Sequence, residues 1–257
     1  MCRHVNAAIV ILLATWFLIL PGLIIVWNVN DDTLRSGGIP RCAFAWHRAL
    51  TPRYEAWARQ RLAAGTANAD IMDISGTEWP VFGSVFYLMA TESLQEAWEK
   101  DQSASKSAPR DYARGAVDAA SLLVIDPAHA GWVRQHWGSD YLRKDNLFYR
   151  GLIIAALTSR ERLLRDGAHI EMLRDQVESL AKTIDESPCG LVDDYPGECY
   201  PTDVLGAIAY IRRADAVLGT DHSAFARRAV RAFEGKLLDE TELPPYNADA
   251  RTGQLGG

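Results

Sequence analysis

Residues 170–218 read IEMLRDQVESLAKTIDESPCGLVDDYPGECYPTDVLGAIAYIRRADAVL, and their reading decides the fold. Leu173, Val177, Leu180 and Ile184 recur at helical spacing, so 170–184 is an amphipathic helix with one apolar face. From Thr202-Asp203 an apolar run through Ile208 and Ile211 to Leu218 forms a second helix. Asp203 either caps that helix or complements its positive N-terminus. Between the two lies a turn-rich loop with Asp193, Asp194 and Glu198, the thiols Cys189 and Cys199, and the phenols Tyr195 and Tyr200. Carboxylates this close repel one another, so some must be solvated, paired or held with raised pKa values. Acids with raised pKa values are what acid–base catalysis uses. The plainer alternative is an exposed acidic loop stapled by a Cys189–Cys199 disulfide.

The rest of the chain reads as more helices. Thr51-Pro52 starts one, with Pro early where it is tolerated, running through Tyr54, Trp57, Ala58 and Leu62 to Gly65. A loop follows and ends at Thr77-Glu78-Trp79-Pro80, after which Phe82, Val85, Phe86, Met89 and Leu94 mark the next helix. Residues 101–109 are polar and Ser-rich, 110–125 are helical, and Asp126-Pro127 punctuates. A short Trp-rich segment covers 131–137, a long helix starts near Asp145 and stops at Gly167, and the last helix covers about 223–237. No strand alternation appears. The expected class is all-α, with helical hairpins that suit an α/α toroid, partial or open; an α-solenoid is the alternative, but no short repeat supports it.

From Ala7 to Trp27 the chain is free of charge, about the length that crosses a bilayer as a helix, roughly 20 residues. Arg3 precedes this run, Asp31-Asp32 follow it, and Trp27 falls at its exit. The charge pattern predicts a cytoplasmic tail (1–6), a transmembrane anchor (7–27), a linker (28–45) and an α-helical domain (46–257) outside the inner membrane. A cleaved signal peptide is the alternative. The formal net charge of −6 and the lack of a basic patch argue against nucleic acid as a partner.

Two further patches carry chemistry. Glu78-Trp79-Pro80 sets an acid beside an indole at a helix start, either a desolvated general acid or a charge that complements the helix dipole. In 144–151, KDNLFYRG, Asp145 or Asn146 suits the N-cap, Tyr149 is placed to reach a cavity, and Gly151 permits close helix approach; the alternative is a capped core helix with a buried Tyr. His4, His47, His129, His136, His169 and His222 make no metal-binding spacing, and no CxxC pair, Walker loop, dinucleotide fingerprint or nucleophile elbow is present. Calcium at Asp193, Asp194 and Glu198 is chemically allowed, but the spacing is not that of an EF-hand. No metal and no cofactor is expected.

At these same patches the sequence resembles the linalool dehydratase/isomerase-like family of α/α toroid proteins, from about Glu78 onward and most strongly over 144–239. The family's Lys-x-Asn-x-x-Tyr-x-Gly-His helix start is similar to Lys144, Asn146, Tyr149 and Gly151. Its Gly-Ile-Val-Cys-Glu-Pro loop is similar to Gly190, Leu191, Val192, Asp193, Asp194 and Pro196, and a second family cysteine lies near Cys199. Leu237, Leu238 and Asp239 and the segment 246–253 also look similar. The family's histidine falls at Leu152 and its first active-site cysteine at Asp193. The resemblance implies a toroid with a cavity at this loop, without the thiol and imidazole equipment for linalool. It also implies more helices than this chain supplies, so a longer protein, a homo-oligomer or a partner chain is expected to complete the ring.

The expected activity is acid–base elimination, hydration or isomerisation of a hydroxylated small molecule. Asp193, Asp194 and Glu198 are the expected acids and bases with Glu78 opposite, and Cys199 joins them through the resemblance alone. Tyr149, Tyr195, Tyr200, Trp79 and Asn146 are the expected substrate-binding residues. A glycan hydrolase or lyase is the rival within enzymes, since paired carboxylates also suit glycosidic bonds. A non-catalytic membrane-anchored scaffold is the rival from another class.

Overall fold

The computed structural model describes residues 2–65, 78–238 and 242–256. Thr77, which closes the expected loop, and Asp239 lie outside the described residues. Every element among the described residues is helical, with only isolated β-bridges at Tyr195–Glu198, Cys199–Ala248 and Ala248–Leu255.

The N-terminus is one apolar rod: α1 (Cys2–Ala14), a π-helical turn (Thr15–Ile19) and α2 (Leu20–Val29), joined through right-handed helical junctions at Ala14 and Ile19. The wider turn directly precedes Pro21, whose ring removes a backbone donor from the ladder. Val5–Val29 has mean hydropathy 2.8 and none of it is buried. It is long and apolar enough to cross a membrane, and a signal sequence has the same character.

The segment after it is helical where a linker was expected. The Asp31 carboxylate accepts the Thr33 amide at 2.9 Å and caps α3 (Asp32–Arg35). Helix α4 (Arg41–Ala64) begins well before Thr51 and carries Pro52 inside it. Pro52 costs one hydrogen bond, while the preceding Thr51 hydroxyl donates back to the His47 carbonyl at 2.7 Å. Phe44, His47, Thr51 and Ala58 hold this helix against the domain through its buried face.

The domain continues with α5 (Glu78–Lys100), a 3-10 turn (Gln102–Ala104), α6 (Pro109–Tyr112), α7 (Arg114–Ile125) and α8 (Gly131–Trp137). The single helix expected over 110–125 is broken at Ala113, where ψ opens to 3°. Then come α9 (Leu147–Leu164), α10 (Ile170–Glu186), α11 (Pro201–Leu218) and α12 (Ser223–Lys236). Arg165 and Gly219, both left-handed, end α9 and α11.

Helix α9 is the centre of the core and packs against α5, α7, α10 and α11. Leu147, Ile153, Ile154, Ala155, Ala156 and Leu157 are buried almost completely. Each large one contributes about 1.5–3 kcal/mol by leaving water. At Gly151 a Cβ would meet Tyr210 at 3.8 Å and Ala207 at 3.9 Å, so ordinary contact and not a close approach occurs there.

Helices α5, α9 and α11 run in the same direction and are tied at both ends. At one end the buried Glu92 of α5 pairs with Arg162 of α9 at 2.9 Å and with Arg213 of α11. At the other end all three start at the acidic loop.

Candidate functional site

A glycine shapes the turn of the acidic loop. Gly197 (φ 82°) follows Pro196 in a tight turn closed by the Glu198 amide on the Tyr195 carbonyl at 2.8 Å. The Asp193 carboxylate accepts the Gly197 amide at 2.9 Å, and the Asp194 amide donates to the Glu198 carbonyl at 2.8 Å. The turn therefore consumes one oxygen of Asp193 and aims the Asp194 side chain inward.

The loop also caps α9. Asn146 precedes that helix in a left-handed conformation (φ 34°) and makes no side-chain cap. Its amide donates instead to the Tyr141 carbonyl at 2.8 Å, so the capping expected of Asp145 or Asn146 comes from elsewhere. The Leu147 amide donates to the Asp193 carbonyl at 3.0 Å. Asp194 stands over the next amide, that of Phe148, close enough for it to lower the acid's pKa. The Asp194 carboxylate also accepts the Tyr200 amide at 3.0 Å at the start of α11. Asp203 sits in the first turn of α11 without being its cap, and burial raises its pKa.

Asp194 is 1% exposed, and its Oδ1 has no hydrogen-bond partner. Burial pushes its pKa up to about 8, with the charges of Asp203 and Asp193 adding to the rise and the Tyr200 and Phe148 amides opposing it. At neutral pH the group is therefore chiefly a carboxylic acid. Cys199 beside it is buried too, and burial with the neighbouring acids pushes its thiol up to about 12. Cys189 and Cys199 are both free thiols, and Cys189 donates to the Ala250 carbonyl at 2.9 Å.

On one side of the loop opens a cavity of about 720 Å³, lined by Trp137, Asp145, Thr183, Glu186, Asp193 and Arg251 among others. Burial and the charge of Asp193 raise the pKa of Asp145, while Arg150 and Lys144 oppose the rise. Arg150 lies beneath, completely buried, donating to Gln176 at 3.0 Å, the Lys144 carbonyl at 2.8 Å and Ser179 at 2.7 Å. Burial brings its pKa down to about 10. Trp137 donates to the Asp194 carbonyl at 3.3 Å and so joins the cavity wall to the buried acid.

The other expected site residues fall into four places. The Tyr195 hydroxyl donates to Glu78 at 2.5 Å, bringing the start of α5 to the loop as expected. Its ring lies among Trp132, His136 and Phe148, and burial, with the Glu78 bond next, holds its hydroxyl protonated. Glu198 and Tyr200 bond each other at 3.1 Å and, with Cys199, line a separate cavity of about 320 Å³ against Asn247 and Gln254. Trp79 is 60% exposed and touches Phe82 instead of shielding an acid. Tyr149 is buried, and its hydroxyl donates to the Val124 carbonyl at 2.6 Å, which ties α9 to α7.

Asp145, Trp137 and Glu186 thus join Asp193 at the cavity, and none of them stood among the expected site residues. The signal for Asp145 was its place beside Lys144 and Asn146 in the α9 start, where an acid reads first as a cap. Among the described residues no group of His, Cys, Asp and Glu is arranged to hold a metal ion. No protein-family model matches the chain, and no curated protein matches it in sequence.

Proposed function

We propose that this is a membrane-tethered acid–base enzyme of α/α toroid type, acting on a hydroxylated small molecule at the Asp145–Asp193 cavity. One observation carries the reading: Asp145 and Asp193 share a cavity of about 720 Å³ with Glu186, and burial with the charge of Asp193 raises the pKa of Asp145. An acid with a raised pKa suits the role of proton donor, and a second carboxylate in the same cavity can serve as proton acceptor. Asp145 gives its proton to the substrate hydroxyl, the C–O bond breaks and water leaves. Asp193 takes a proton from the adjacent carbon, and its electron pair becomes the new double bond. The reverse order is hydration, and the two in succession are isomerisation. Asp194, neutral behind the loop, spares Asp193 a second negative neighbour.

The common start of α5, α9 and α11 at the loop supports the toroid-type arrangement. Arg3 before the apolar helix and Asp31-Asp32 after it support an inner-membrane anchor with the domain on the extracytoplasmic side. A scaffold reading draws on a specific observation as well. The Tyr149 hydroxyl, the Asn146 amide nitrogen and one oxygen of Asp194 are spent on backbone groups.

The test is turnover of a panel of alcohols by the full chain and by Asp145→Asn and Asp193→Asn. Loss of about 100-fold or more in each, with the helical circular dichroism retained, supports acid–base chemistry. Turnover of the panel that neither substitution changes removes both residues from the chemistry, and no turnover by any form leaves the scaffold as the better reading.

A further inference from the structure

The chain is acidic, with a formal net charge of −6, yet the charged residues that line one cavity are mainly cations. It measures about 530 Å³ and lies between the end of α10, the face of α12 and the C-terminal segment, lined by Arg228, Arg231 and Arg251 with Asp185 as its one acid. Asp185 is fully engaged, accepting Nε of Arg228 at 3.0 Å and Nη2 at 2.7 Å. The guanidinium groups of Arg231 and Arg251 make no hydrogen bond or ion pair among the described residues. Asp249 accepts the backbone amides of Arg251 at 2.9 Å and Thr252 at 2.8 Å with one oxygen, and these bonds, with the charge of Arg251 added, hold its pKa below the usual range. That leaves two guanidiniums without a hydrogen-bond partner at one cavity, and guanidinium is the side-chain group best shaped for bidentate contact with oxyanions.

Cys189 and Gly190 of the acidic loop also line this cavity. Gly190 has φ 79°, and a Cβ there would stand 3.2 Å from the Ala232 side chain, so the loop lies tight on α12. A Cβ at Gly253 (φ 71°) would stand 3.3 Å from Cβ of Cys189, and the Cys189 thiol bonds the Ala250 carbonyl at 2.9 Å. These approaches hold the loop, the helix and the C-terminal segment together as a fixed frame.

We propose that this cavity binds a phosphate group. Its charged donors come from two separate elements: Arg231 on α12 and Arg251 on the C-terminal segment. Two guanidiniums at one cavity match the near-double negative charge of phosphate better than the single charge of a carboxylate. The cavity adjoins the carboxylate-lined one, sharing Ser187, Pro188 and Arg251 with it. A molecule with a phosphate at one end can therefore extend toward Asp193.

The test uses the full chain in a phosphate-free maltoside detergent, titrated calorimetrically with inorganic phosphate and, separately, with acetate. Saturable phosphate binding is expected, weakened about tenfold by Arg231→Ala or Arg251→Ala, since each removes a charge-assisted contact. Asp185→Asn, which releases Arg228, is expected to tighten it. Thermal unfolding without phosphate checks that each variant is folded. The source of the group is read in nanodiscs: phosphatidylglycerol that displaces phosphate identifies a lipid headgroup, and phosphate binding that persists identifies a soluble ligand. No saturable binding, acetate binding as tight as phosphate, or arginine variants that bind like the parent would each overturn the proposal. None of these readouts depends on turnover, so the phosphate site stands or falls apart from the acid–base reading.

Discussion

Two buried polar seams hold this domain together, and they are built on opposite principles. Between α4, α5 and α6, His47 bonds the Tyr112 hydroxyl at 2.9 Å and the Thr91 hydroxyl at 2.8 Å, Thr51 bonds Tyr87 at 2.9 Å, and Tyr54 donates to Ser84 at 2.7 Å. The rings stack as well, His47 on Tyr87 at 5.0 Å and Tyr87 on Tyr54 at 4.1 Å. The seam is neutral, and the side-chain atoms named here are all partnered. Between α9 and the acidic loop the demands are unmet. Asp194 has an orphan oxygen, Arg150 is buried with no carboxylate bonded to it, and Asp145 and Asp193 repel. A closed neutral seam contributes stability and little else. A seam that keeps charges short of partners gives up stability, and such places are where proton chemistry is found.

The sharpest way to break the comparison is at Arg150. Arg150→Met is expected to destabilise by about 3–5 kcal/mol, because Gln176, Ser179 and the Lys144 carbonyl lose a shared donor inside the core. Urea unfolding of the full chain measures it. A loss below about 1 kcal/mol would mean that water reaches this position and that the seam is not strained.

Asp194 comes next. Its folded pKa of about 8 lies above the ordinary 3.8 of an aspartate, so its contribution is most favourable below that lower value. Stability falls as pH rises from about 4 to about 8, then levels. Asp194→Asn keeps the neutral shape and removes that slope, and it is expected to gain on the order of 3 kcal/mol at alkaline pH. Unfolding midpoints across the pH range decide the matter, and parallel profiles for the two proteins would show that Asp194 is ionised when folded.

His47 slopes the other way. Burial pulls its pKa from 6.5 to about 4, so the unfolded chain takes up a proton first. Stability is full above about 6.5 and is lost as pH falls toward 4, by about 2–3 kcal/mol. In the intact protein the two slopes oppose each other across that window. Asp194→Asn therefore exposes the acid sensitivity of His47, and adding His47→Gln flattens the profile again.

The sequence made the helices plain where one face was apolar. The Leu173, Val177, Leu180, Ile184 stripe is α10 as read, and the uncharged N-terminal run is the exposed apolar rod. The loop's place at a junction of helices was legible too, because turn residues and acids crowd there. What was not legible depends on partners distant in sequence. Pro52 looked like a helix start, yet the buried face of α4 extends the helix back to Arg41. Asn146 looked like a cap, but its left-handed backbone turns it to Tyr141 and leaves the capping to residues 193 and 194. Asp145 reached the cavity because the cap was supplied from the loop, and no local pattern announces that.

The smallest expected effect concerns the link between the seams. Tyr195 donates to Glu78 at 2.5 Å and joins the start of α5, which carries the neutral seam, to the loop that carries the strained one. A hydrogen bond to a carboxylate contributes about 1.5–3 kcal/mol when sheltered, and Glu78 is only part-buried, so about 1 kcal/mol is the fair expectation here. The measurement is a double-mutant cycle of Tyr195→Phe, Glu78→Gln and the pair, read by unfolding. Coupling near 1 kcal/mol means that the seams communicate, and the pair of variants should then also change the pH at which the Asp194 slope appears. Coupling near zero would make the two seams independent, and the proposed acid–base site would have to be understood from α9, α10 and the loop alone.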